Sequence, residues 1–402
     1  MIRRWKKILG FILKKITKSG RNTVAWYVRC NSKIKPGRVV FWSYNFKQYG
    51  CNPRYLSDYL LNHYPDMEIY WVFRSGVDTS QVDNRVHKVK FRSMEYLRVM
   101  ATAEFLITNT RTDPYFIYWH KRLGQKYFQL WHGAIALKRI EKDVEDKLNY
   151  AYVHKAKKDS QIADLMISGC TMQTSLLRSA FWYNGEVLEC GIPRNDIFFQ
   201  AERKAEFRRH VIDHFGIDDK SSIVLYAPTF RINRNIEPYR INWDRIIQGL
   251  RKMMKNEKIT VIVRLHPNLI DSVDTSSLIA FNNVVDGTRY HDMQELLCAA
   301  DMLITDYSSS MFDFAMQRRP CVLYATDVND YDRGFYLDIK TLPFPLAQNE
   351  DELMRQILNF DSQTYYSQLD NFFTTVVGLS ENGHASEAIA QWMTNHRIEN
   401  IN

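Results

Sequence analysis

The segment MLITDYSSSMFDFAMQRRPCVLY, residues 302–324, decides the fold class of this protein. It begins with the apolar run Met302–Thr305, continues through a segment with helical spacing at Ser309–Gln317, and ends with a second apolar run at Cys321–Tyr324. Short strands that are apolar throughout are buried on both faces, and two of them joined by a helix lie parallel. The segment therefore predicts a strand-helix-strand unit of a parallel sheet that is covered by helices.

The same alternation fills the first half of the chain. Helices are expected at Pro53–His63, Ser93–Ala101 and Thr171–Tyr183. The strands expected between them are Arg38–Tyr44, Glu68–Arg74, Glu104–Asn109, Tyr127–Trp131, Leu165–Ser168 and Glu186–Cys190. Residues 36–200 are therefore predicted to form one doubly wound α/β domain.

A second α/β domain is expected over residues 201–402. It begins with a charged stretch, Gln200–Lys220, that we interpret as an exposed helix and linker. Further helices are expected at Trp243–Lys255 and Met293–Ala299, and the last helix is expected to pack back on the first domain. The strands are Ser222–Tyr226, Ile259–Arg264, Asn283–Asp286, Met302–Thr305 and Cys321–Tyr324. Such sheets bind ligands outside the carboxyl ends of their strands, so a cleft between the two domains is the expected site.

The positive charge of the protein is concentrated at its amino-terminal end. The 402 residues carry a formal net charge of +9, yet residues 1–57 contain 14 Lys and Arg and no Asp or Glu. Within residues 1–20, a helix from Ile2 to Lys18 would present an apolar stripe flanked by cations. This pattern favours binding to an anionic membrane surface. The alternative is an ordinary amphipathic helix docked on its own domain.

Several classes of protein are disfavoured by composition. The apolar run Ile8–Leu13 is far shorter than the ~20 residues that span a bilayer. The remainder of the chain lacks the basic face of a nucleic-acid-binding protein. The basic start leads into further lysines without a small-residue cleavage site, so no secretory signal is expected. Six scattered cysteines without C-x-x-C spacing indicate a reducing cytosol rather than a disulfide framework or a zinc site.

The most readable strand end is the one that follows Met302–Thr305. Ser308 and Ser309 precede a helix, so one of them is expected to cap it while free backbone N–H groups favour an anion. Asp313, one turn into the helix, is expected to turn its carboxylate toward a sugar hydroxyl. The alternative is helix capping without any ligand.

Histidine and arginine stand at three other strand ends. His132 is followed by Gly133, which permits close approach of a substrate, although the same residues also suit a simple tight turn. His266 is followed by proline, which keeps it extended, and Arg264 shares its side-chain parity; a purely structural histidine is the alternative. Arg194 follows a proline and suits bidentate phosphate contact, or else it is an exposed capping residue.

Two common nucleotide-binding fingerprints, G-x-G-x-x-G and G-x-x-x-x-G-K-[ST], are missing from the sequence. The strand-end segments that carry His132, Arg194, His266 and Ser308 also lack a D-x-D pair of aspartates. No cofactor or metal is therefore expected to be required, and divalent cations are expected only to stimulate by screening the charge of an anionic ligand.

Six motifs in this order resemble the CDP-glycerol glycerophosphotransferase family, whose members build teichoic acids and related polymers. The motifs are WHG at 131–133, GIPRND at 191–196, YAPTFR at 226–231, RLHP at 264–267, ITDYSSSMFD at 304–313 and RGFYLD at 333–338. The resemblance implies two Rossmann-like domains in a glycosyltransferase-B-like pair, peripheral attachment to the cytoplasmic face of the membrane, and a CDP-activated polyol phosphate donor.

The resemblance also assigns roles to individual residues. His132 and His266 match histidines that are catalytic in the family, and Trp131 and Gly133 flank the first of them in a substrate-binding loop. The donor-site positions are Arg194, Pro228, Thr229, Arg264, Ser308, Ser309 and Asp313. One departure is visible, because this chain reads WHGAIALK over residues 131–138 where the family often reads WHGTPLK.

The expected reaction is attack of an acceptor hydroxyl on the β-phosphorus of CDP-glycerol, with CMP as the leaving group. His132 is the candidate general base, while His266, Arg264, Arg194 and the helix start at Ser308 would neutralise the diphosphate. The acceptor implied is a lipid-linked, polyprenyl-diphosphate saccharide or polymer. Three alternatives remain: a CDP-ribitol-dependent transferase, a nucleotide-sugar glycosyltransferase, and a catalytically silent membrane scaffold. Of the possible partners, nucleic acid is the one that the sequence supports least.

Overall fold

The protein is described here by a computed structural model that covers residues 20–231, 235–266, 276–328 and 334–398. The helix expected from Ile2 to Lys18 lies outside these residues, as do Pro267 and Arg333 of two motifs. Within the described residues the chain forms two parallel sheets with helices on both faces. The predicted pair of doubly wound, Rossmann-like domains is confirmed.

The first sheet has seven parallel strands in the order β3-β2-β1-β4-β5-β6-β7. The central strands are apolar because both of their faces are covered, and every residue of β1 and β4 is buried. The strands are β1 (Arg38–Trp42), β2 (Glu68–Phe73), β3 (His87–Lys90), β4 (Phe105–Thr108), β5 (Lys126–Gln129), β6 (Leu165–Ser168) and β7 (Glu186–Glu189). The sequence prediction missed edge strand β3, in which only Val89 is buried.

The helices of the first domain connect these strands. They are α1 (residues 20–30), α2 (Cys51–His63), α3 (Met94–Thr102), α4 (Tyr150–Ile162) and α5 (Thr171–Ser179). Two 3-10 segments, Glu141–Lys147 and Pro193–Phe199, complete the connections. The predicted helices agree with α2, α3 and α5 apart from their ends.

The second sheet has six parallel strands in the order β10-β9-β8-β11-β12-β13. They are β8 (Ser222–Tyr226), β9 (Ile259–Val263), β10 (Val284–Asp286), β11 (Met302–Thr305), β12 (Cys321–Tyr324) and β13 (Leu346–Ala347). The helices are α6 (Ala201–Phe215), α7 (Trp243–Met254), α8 (Ser276–Ile279), α9 (Met293–Ala299), α10 (Ser310–Ala315), α11 (Glu350–Leu358), α12 (Ser362–Asn371) and α13 (Ala385–Asn395). The two-residue strand β13 was not predicted.

Helix α6 corrects the interpretation of Gln200–Lys220 as an exposed helix and linker. Phe207, Val211 and Ile212 are buried, and the helix packs along α9 as a layer of the second domain. Arg208 forms an ion pair with Asp301, which lies just beyond the end of α9 (Nη2 to Oδ2, 3.1 Å). The many charged residues of this stretch obscure the apolar stripe of the helix, in which Phe207 and Val211 are four residues apart.

The last helix returns to the first sheet. The Trp392 ring of α13 lies 5.1 Å from that of Phe128 in β5, and its indole N–H donates to Glu186 in β7 (2.7 Å). Among the described residues no helix is long and apolar enough to cross a membrane.

Candidate active site

In both sheets the order of the strands reverses at an equivalent place. The reversal lies between β1 and β4 in the first sheet and between β8 and β11 in the second. Such reversals leave a crevice at the carboxyl ends of the strands. The loops that follow the strands meet there across the domains: a β-carbon built on Gly133 would lie 3.8 Å from the Ser309 hydroxyl oxygen. The WHG and serine motifs, 176 residues apart in the chain, therefore lie against one another.

His132 is presented by a constrained turn after β5. Trp131 adopts a left-handed backbone conformation (φ 51°), which is costly for a bulky residue and needs support from its surroundings. Its backbone N–H donates to the buried Gln129 side chain (3.1 Å), and the Arg111 guanidinium lies 5.5 Å from its ring centre. Arg111 is itself held by a buried ion pair with Glu141 (2.8 Å). This packing fixes where the imidazole can lie.

The hydrogen bonding of His132 defines which nitrogen can act as a base. Nδ1 lies 3.3 Å from the backbone carbonyl oxygen of Asn109. A carbonyl only accepts, so in the neutral ring Nδ1 carries the proton and Nε2 keeps a lone pair. This tautomer is assigned from the hydrogen bond.

The electrostatic surroundings keep His132 neutral. Its side chain is exposed to the cleft, but many protein atoms lie in the neighbourhood of the ring. This desolvation lowers the pKa of His132 from 6.5 to about 4, the Asn109 bond opposes the shift, and the charges of Arg194 and Arg111 add to it. A neutral imidazole with a free Nε2 can accept a proton at neutral pH.

His266 and Arg264 stand at the end of β9, across the cleft. The His266 ring lies 5.5 Å from that of Phe230. Desolvation lowers the pKa of His266, and the charges of Arg264 and Lys138 lower it further. Arg264 Nη1 donates to the Tyr290 carbonyl (2.7 Å), and the negative charge of Asp292 acts on the guanidinium. Arg264 thus places a cation at this wall of the cleft, which Asp292 partly offsets.

The serine motif begins helix α10 differently from the expected cap. Ser309 occupies the N-cap position without a side-chain capping bond, while the Ser308 hydroxyl accepts from the Ser310 N–H (3.3 Å). Ser308 and Ser309 are half-buried at the cleft. Their hydroxyls can donate to phosphate oxygens.

Arg194 and Asp313 are bonded to each other rather than directed separately at a ligand. Arg194 Nη2 lies 2.5 Å from Asp313 Oδ2, and Arg194 is only 8% exposed. Nη1 contacts the sulfur of Cys51 (3.4 Å), and the Asn195 amide also donates to Asp313 (3.3 Å). The expected binding of phosphate by Arg194 and of a sugar hydroxyl by Asp313 stays a prediction.

Pro228 and Thr229 lie in a tightly bonded loop after β8. Pro228 is buried, and the Thr229 N–H donates to Asp306 Oδ1 (2.8 Å). Arg231 donates to the Thr229 hydroxyl (2.7 Å) and forms ion pairs with Asp306 (2.8 Å) and Asp327 (2.6 Å). The network fixes this loop at the cleft and neutralises the Arg231 charge.

Three residues of the cleft were missed by the sequence analysis. Tyr44 follows β1 and its ring centre lies 6.4 Å from that of His132, while Asn109 follows β4 and bonds both His132 and the Tyr44 N–H. Lys138 ends the loop that begins with His132. The rule that sites lie at strand ends would have found the first two, since β1 and β4 had been predicted.

The described part of the chain contains no group of three or more His, Cys, Asp or Glu side chains that could hold a metal ion. The expectation that no cofactor is required stays a prediction.

Comparison with known proteins places this site in a family. Residues 24–395 match the family described as CDP-Glycerol:Poly(glycerophosphate) glycerophosphotransferase. The teichoic acid glycerol-phosphate transferase of Staphylococcus aureus is 31% identical over 367 residues, which cover 88% of this chain and 92% of that protein. Two teichoic acid poly(glycerol phosphate) polymerases, from Staphylococcus epidermidis and Bacillus subtilis, are 30% and 31% identical over 89% and 90% of this chain. The chain spans only 50% of the length of these two polymerases.

Solved structures agree with this assignment. The wall teichoic acid polymerase TagF superposes with a TM-score of 0.80 at 29% identity, and the match covers 98% of both chains. A UDP-GlcNAc 2-epimerase from Neisseria meningitidis, 11% identical, shares the fold alone, with a TM-score of 0.51 over 89% of this chain and 100% of that one. Because the family match spans both domains and every described motif of the cleft, the chain belongs to the CDP-glycerol:poly(glycerophosphate) glycerophosphotransferase family.

Proposed function

We propose that this protein transfers glycerol phosphate from CDP-glycerol to a hydroxyl group of an acceptor and releases CMP. The observation that carries the proposal is the approach of the His132-Gly133 turn to Ser309 across the cleft. It brings a neutral histidine base from one domain against hydroxyl and N–H donors of the other. A TagF variant has been studied after soaking with CDPG, and this TagF structure superposes with a TM-score of 0.78 at 26% identity.

In the proposed reaction, Nε2 of His132 removes the proton of the acceptor hydroxyl as its oxygen attacks the β-phosphorus. A bond forms between that oxygen and the β-phosphorus, and the bond from the β-phosphorus to the bridging oxygen breaks. The electron pair leaves with CMP. Arg264, His266 and the Ser308 hydroxyl stabilise the charge on the phosphates, since positioning and charge stabilisation dominate phosphoryl transfer.

Glycerol is favoured over ribitol as the polyol of the donor. Four relatives that act on glycerol phosphate are 30% or 31% identical to this chain. The ribitol-phosphate primase of Bacillus spizizenii, over a comparable 373 residues, is 25% identical. CDP-ribitol is the second candidate donor, and a lipid-linked saccharide or polymer of the teichoic acid type is the proposed acceptor.

The donor is tested by product release. The protein is incubated with a lipid-linked acceptor and, in separate reactions, CDP-glycerol, CDP-ribitol or a UDP-sugar, and nucleotide release is followed by chromatography. We expect acceptor-dependent release of CMP from CDP-glycerol to be at least about tenfold faster than from CDP-ribitol. Ribitol carries additional hydroxymethine groups, and a pocket discriminates against such a change in the substrate by about 1–3 kcal/mol. Faster release from CDP-ribitol, or of UDP, would reassign the donor.

We further propose that the protein is bound peripherally at the cytoplasmic face of the membrane. Next to the basic amino-terminal segment, helix α1 exposes 56% of Trp26 and 62% of Tyr27. Asn22 of the same helix contacts the Tyr115 carbonyl (3.5 Å), beside the exposed Phe116. Exposed aromatic side chains that follow a lysine- and arginine-rich segment of the sequence suit the interface of an anionic bilayer.

The membrane proposal predicts the behaviour of a surface variant. Replacing Trp26 and Tyr27 together by serine should weaken binding to vesicles that contain phosphatidylglycerol by about tenfold or more, since the apolar area of two aromatic rings is lost from the interface. Co-sedimentation measures this effect. The control is Leu358→Ser, which removes an exposed apolar side chain from the second domain and should leave binding unchanged. Equal binding of both variants would contradict the proposal.

A further inference from the structure

Tyr44 is a half-buried residue of the cleft beside the candidate base. Its ring centre lies 6.4 Å from that of His132, and the two ring planes are inclined by 53°. The Trp131 ring centre lies 4.3 Å from that of His132. The imidazole thus has an aromatic neighbour from each of two strand ends, those of β1 and β5. A substrate that reaches His132 therefore also comes close to the Tyr44 side chain.

The backbone around Tyr44 is strained and is held by hydrogen bonds. Tyr44, Asn45 and Phe46 are consecutive residues in the left-handed region, which is costly for aromatic residues. The Tyr44 N–H donates to the Asn109 side chain (3.1 Å), and the Arg74 N–H donates to the Phe46 carbonyl (2.8 Å). Strained backbone persists only where its surroundings impose it, and it is concentrated at functional sites. These contacts therefore keep the Tyr44 side chain in the cleft at a cost in backbone strain.

The turn that carries Tyr44 also reaches the second domain. The Gln48 side chain, four residues further along, donates to the His291 carbonyl (3.3 Å). The Tyr44 phenol interacts electrostatically with Arg264 and Asp292, which both belong to the second domain. Tyr44 is thus close both to the candidate base and to the wall of the cleft at which the donor phosphates are proposed to bind.

The Tyr44 hydroxyl has a weak hydrogen-bond partner in the structure. It is bonded to the Cys51 thiol, and sulfur is only a weak donor and acceptor. Burial raises the pKa of Tyr44, so the hydroxyl keeps its proton at neutral pH and can donate it to a hydrogen bond. A phosphate oxygen is a much better acceptor, because charge-assisted hydrogen bonds are about twice as strong as neutral ones. An anion in the cleft therefore offers the hydroxyl a stronger partner than Cys51.

We propose that the Tyr44 hydroxyl donates a hydrogen bond to a non-bridging oxygen of the phosphate that is transferred. This role rests on the proposed function and adds a catalytic residue to it. The acceptor oxygen must lie within hydrogen-bond distance of Nε2 of His132 and about 3–3.5 Å from the β-phosphorus, which brings the phosphate close to Tyr44 as well. A donor that is already oriented stabilises the charge on the phosphate oxygens without further reorganisation.

The test compares CDP with CMP, which differ by the β-phosphate. Calorimetry measures both affinities for the wild-type chain and for Tyr44→Phe, which keeps the ring beside His132 and removes only the hydroxyl. We expect Tyr44→Phe to bind CDP about ten- to a hundredfold more weakly, the effect of losing one charge-assisted hydrogen bond, and CMP within about threefold of wild type. The kcat/KM for CDP-glycerol should fall by a similar factor.

Two further variants separate this role from a structural one. Cys51→Ala removes the sulfur partner of Tyr44 but leaves the hydroxyl in place, so its CDP affinity should stay within about threefold of wild type. The matched control is Tyr150→Phe, which removes the hydroxyl of a side chain of the same domain that is 83% exposed. It should leave both nucleotide affinities and the turnover unchanged.

The role of Tyr44 would be overturned if Tyr44→Phe kept its CDP affinity, or if it lost CDP and CMP affinity equally. A loss of CDP affinity in Cys51→Ala as large as in Tyr44→Phe would also overturn it, because the hydroxyl would then act only through the packing of Cys51. A raised KM for the acceptor with unchanged CDP affinity would assign the hydroxyl to the acceptor instead. If the wild-type chain itself binds neither nucleotide and releases no CMP from CDP-glycerol, the proposed function fails together with the role of Tyr44.

Discussion

His132→Ala should lower the turnover of CDP-glycerol by at least about 100-fold, the lower end of the 10²- to 10⁴-fold contribution of a positioned general base. The side chain is hydrogen-bonded to the Asn109 carbonyl and faces the cleft, so its removal should leave folding almost unchanged. Acceptor-dependent CMP release measures the effect. His132→Asn should lose as much activity, because its amide can still donate to Asn109 but offers no base at the position of Nε2.

The control is His154→Ala, which changes an exposed histidine on a helix of the same domain and should keep full activity.

The pH dependence is a second readout of the same role. A base whose pKa is lowered to about 4 is protonated, and inactive, only below that value. The acidic limb of kcat/KM should therefore lie near pH 4, whereas a histidine with an ordinary pKa would place it near 6.5. His132 would lose this role if the activity of the wild type halved near pH 6.5 and the His132→Ala variant still kept its activity.

The strands of both sheets were predictable because each central strand is a short apolar run, and burial on both faces leaves no polar positions to confuse the pattern. Strand β3 could not be found in this way, since its sequence HKVK has a single apolar residue among polar ones and resembles a loop. Helix α6 was recognised as a helix, but its charges disguised the face that packs on α9. A helix or strand can be predicted from the sequence when nearly all of its residues are buried. The prediction is less complete when buried and exposed residues alternate within the element.

The cleft was predictable in outline and not in its pairings. Sequence reasoning placed His132, His266 and Ser308 at strand ends, and topology brings strand ends together. The Arg194 partner is 119 residues away, so the sequence could not reveal that this cation is neutralised. Likewise, Tyr44, Asn45 and Phe46 are all left-handed (φ 44°, 58° and 69°), although only Asn tolerates this conformation well. Tertiary contacts such as the Asn109 bond to Tyr44 impose that geometry.

Arg194→Ala should destabilise the protein strongly. The guanidinium is buried, and its ion pair with Asp313 joins the first domain to the second. Removing the arginine leaves a buried carboxylate without its counter-charge. Glu381, whose burial raises its pKa, lies close enough to Asp313 for the two carboxyl groups to interact unfavourably. Breaking a buried pair on one side costs about 3–5 kcal/mol, so the free energy of unfolding should fall by that amount.

Urea denaturation followed by tryptophan fluorescence measures this loss, with Arg203→Ala as the control. Arg203 forms an exposed pair with Glu206, which is worth at most about 1 kcal/mol. The double variant Arg194→Met, Asp313→Leu removes both charges and should recover most of the stability, because a buried pair is often replaceable by apolar residues of similar volume. The alternative role, phosphate binding by Arg194, makes two different predictions. The loss of stability in Arg194→Ala would be below about 1 kcal/mol, and the double variant would not recover CDP affinity. The two roles are therefore separated by stability and ligand affinity measured on the same proteins.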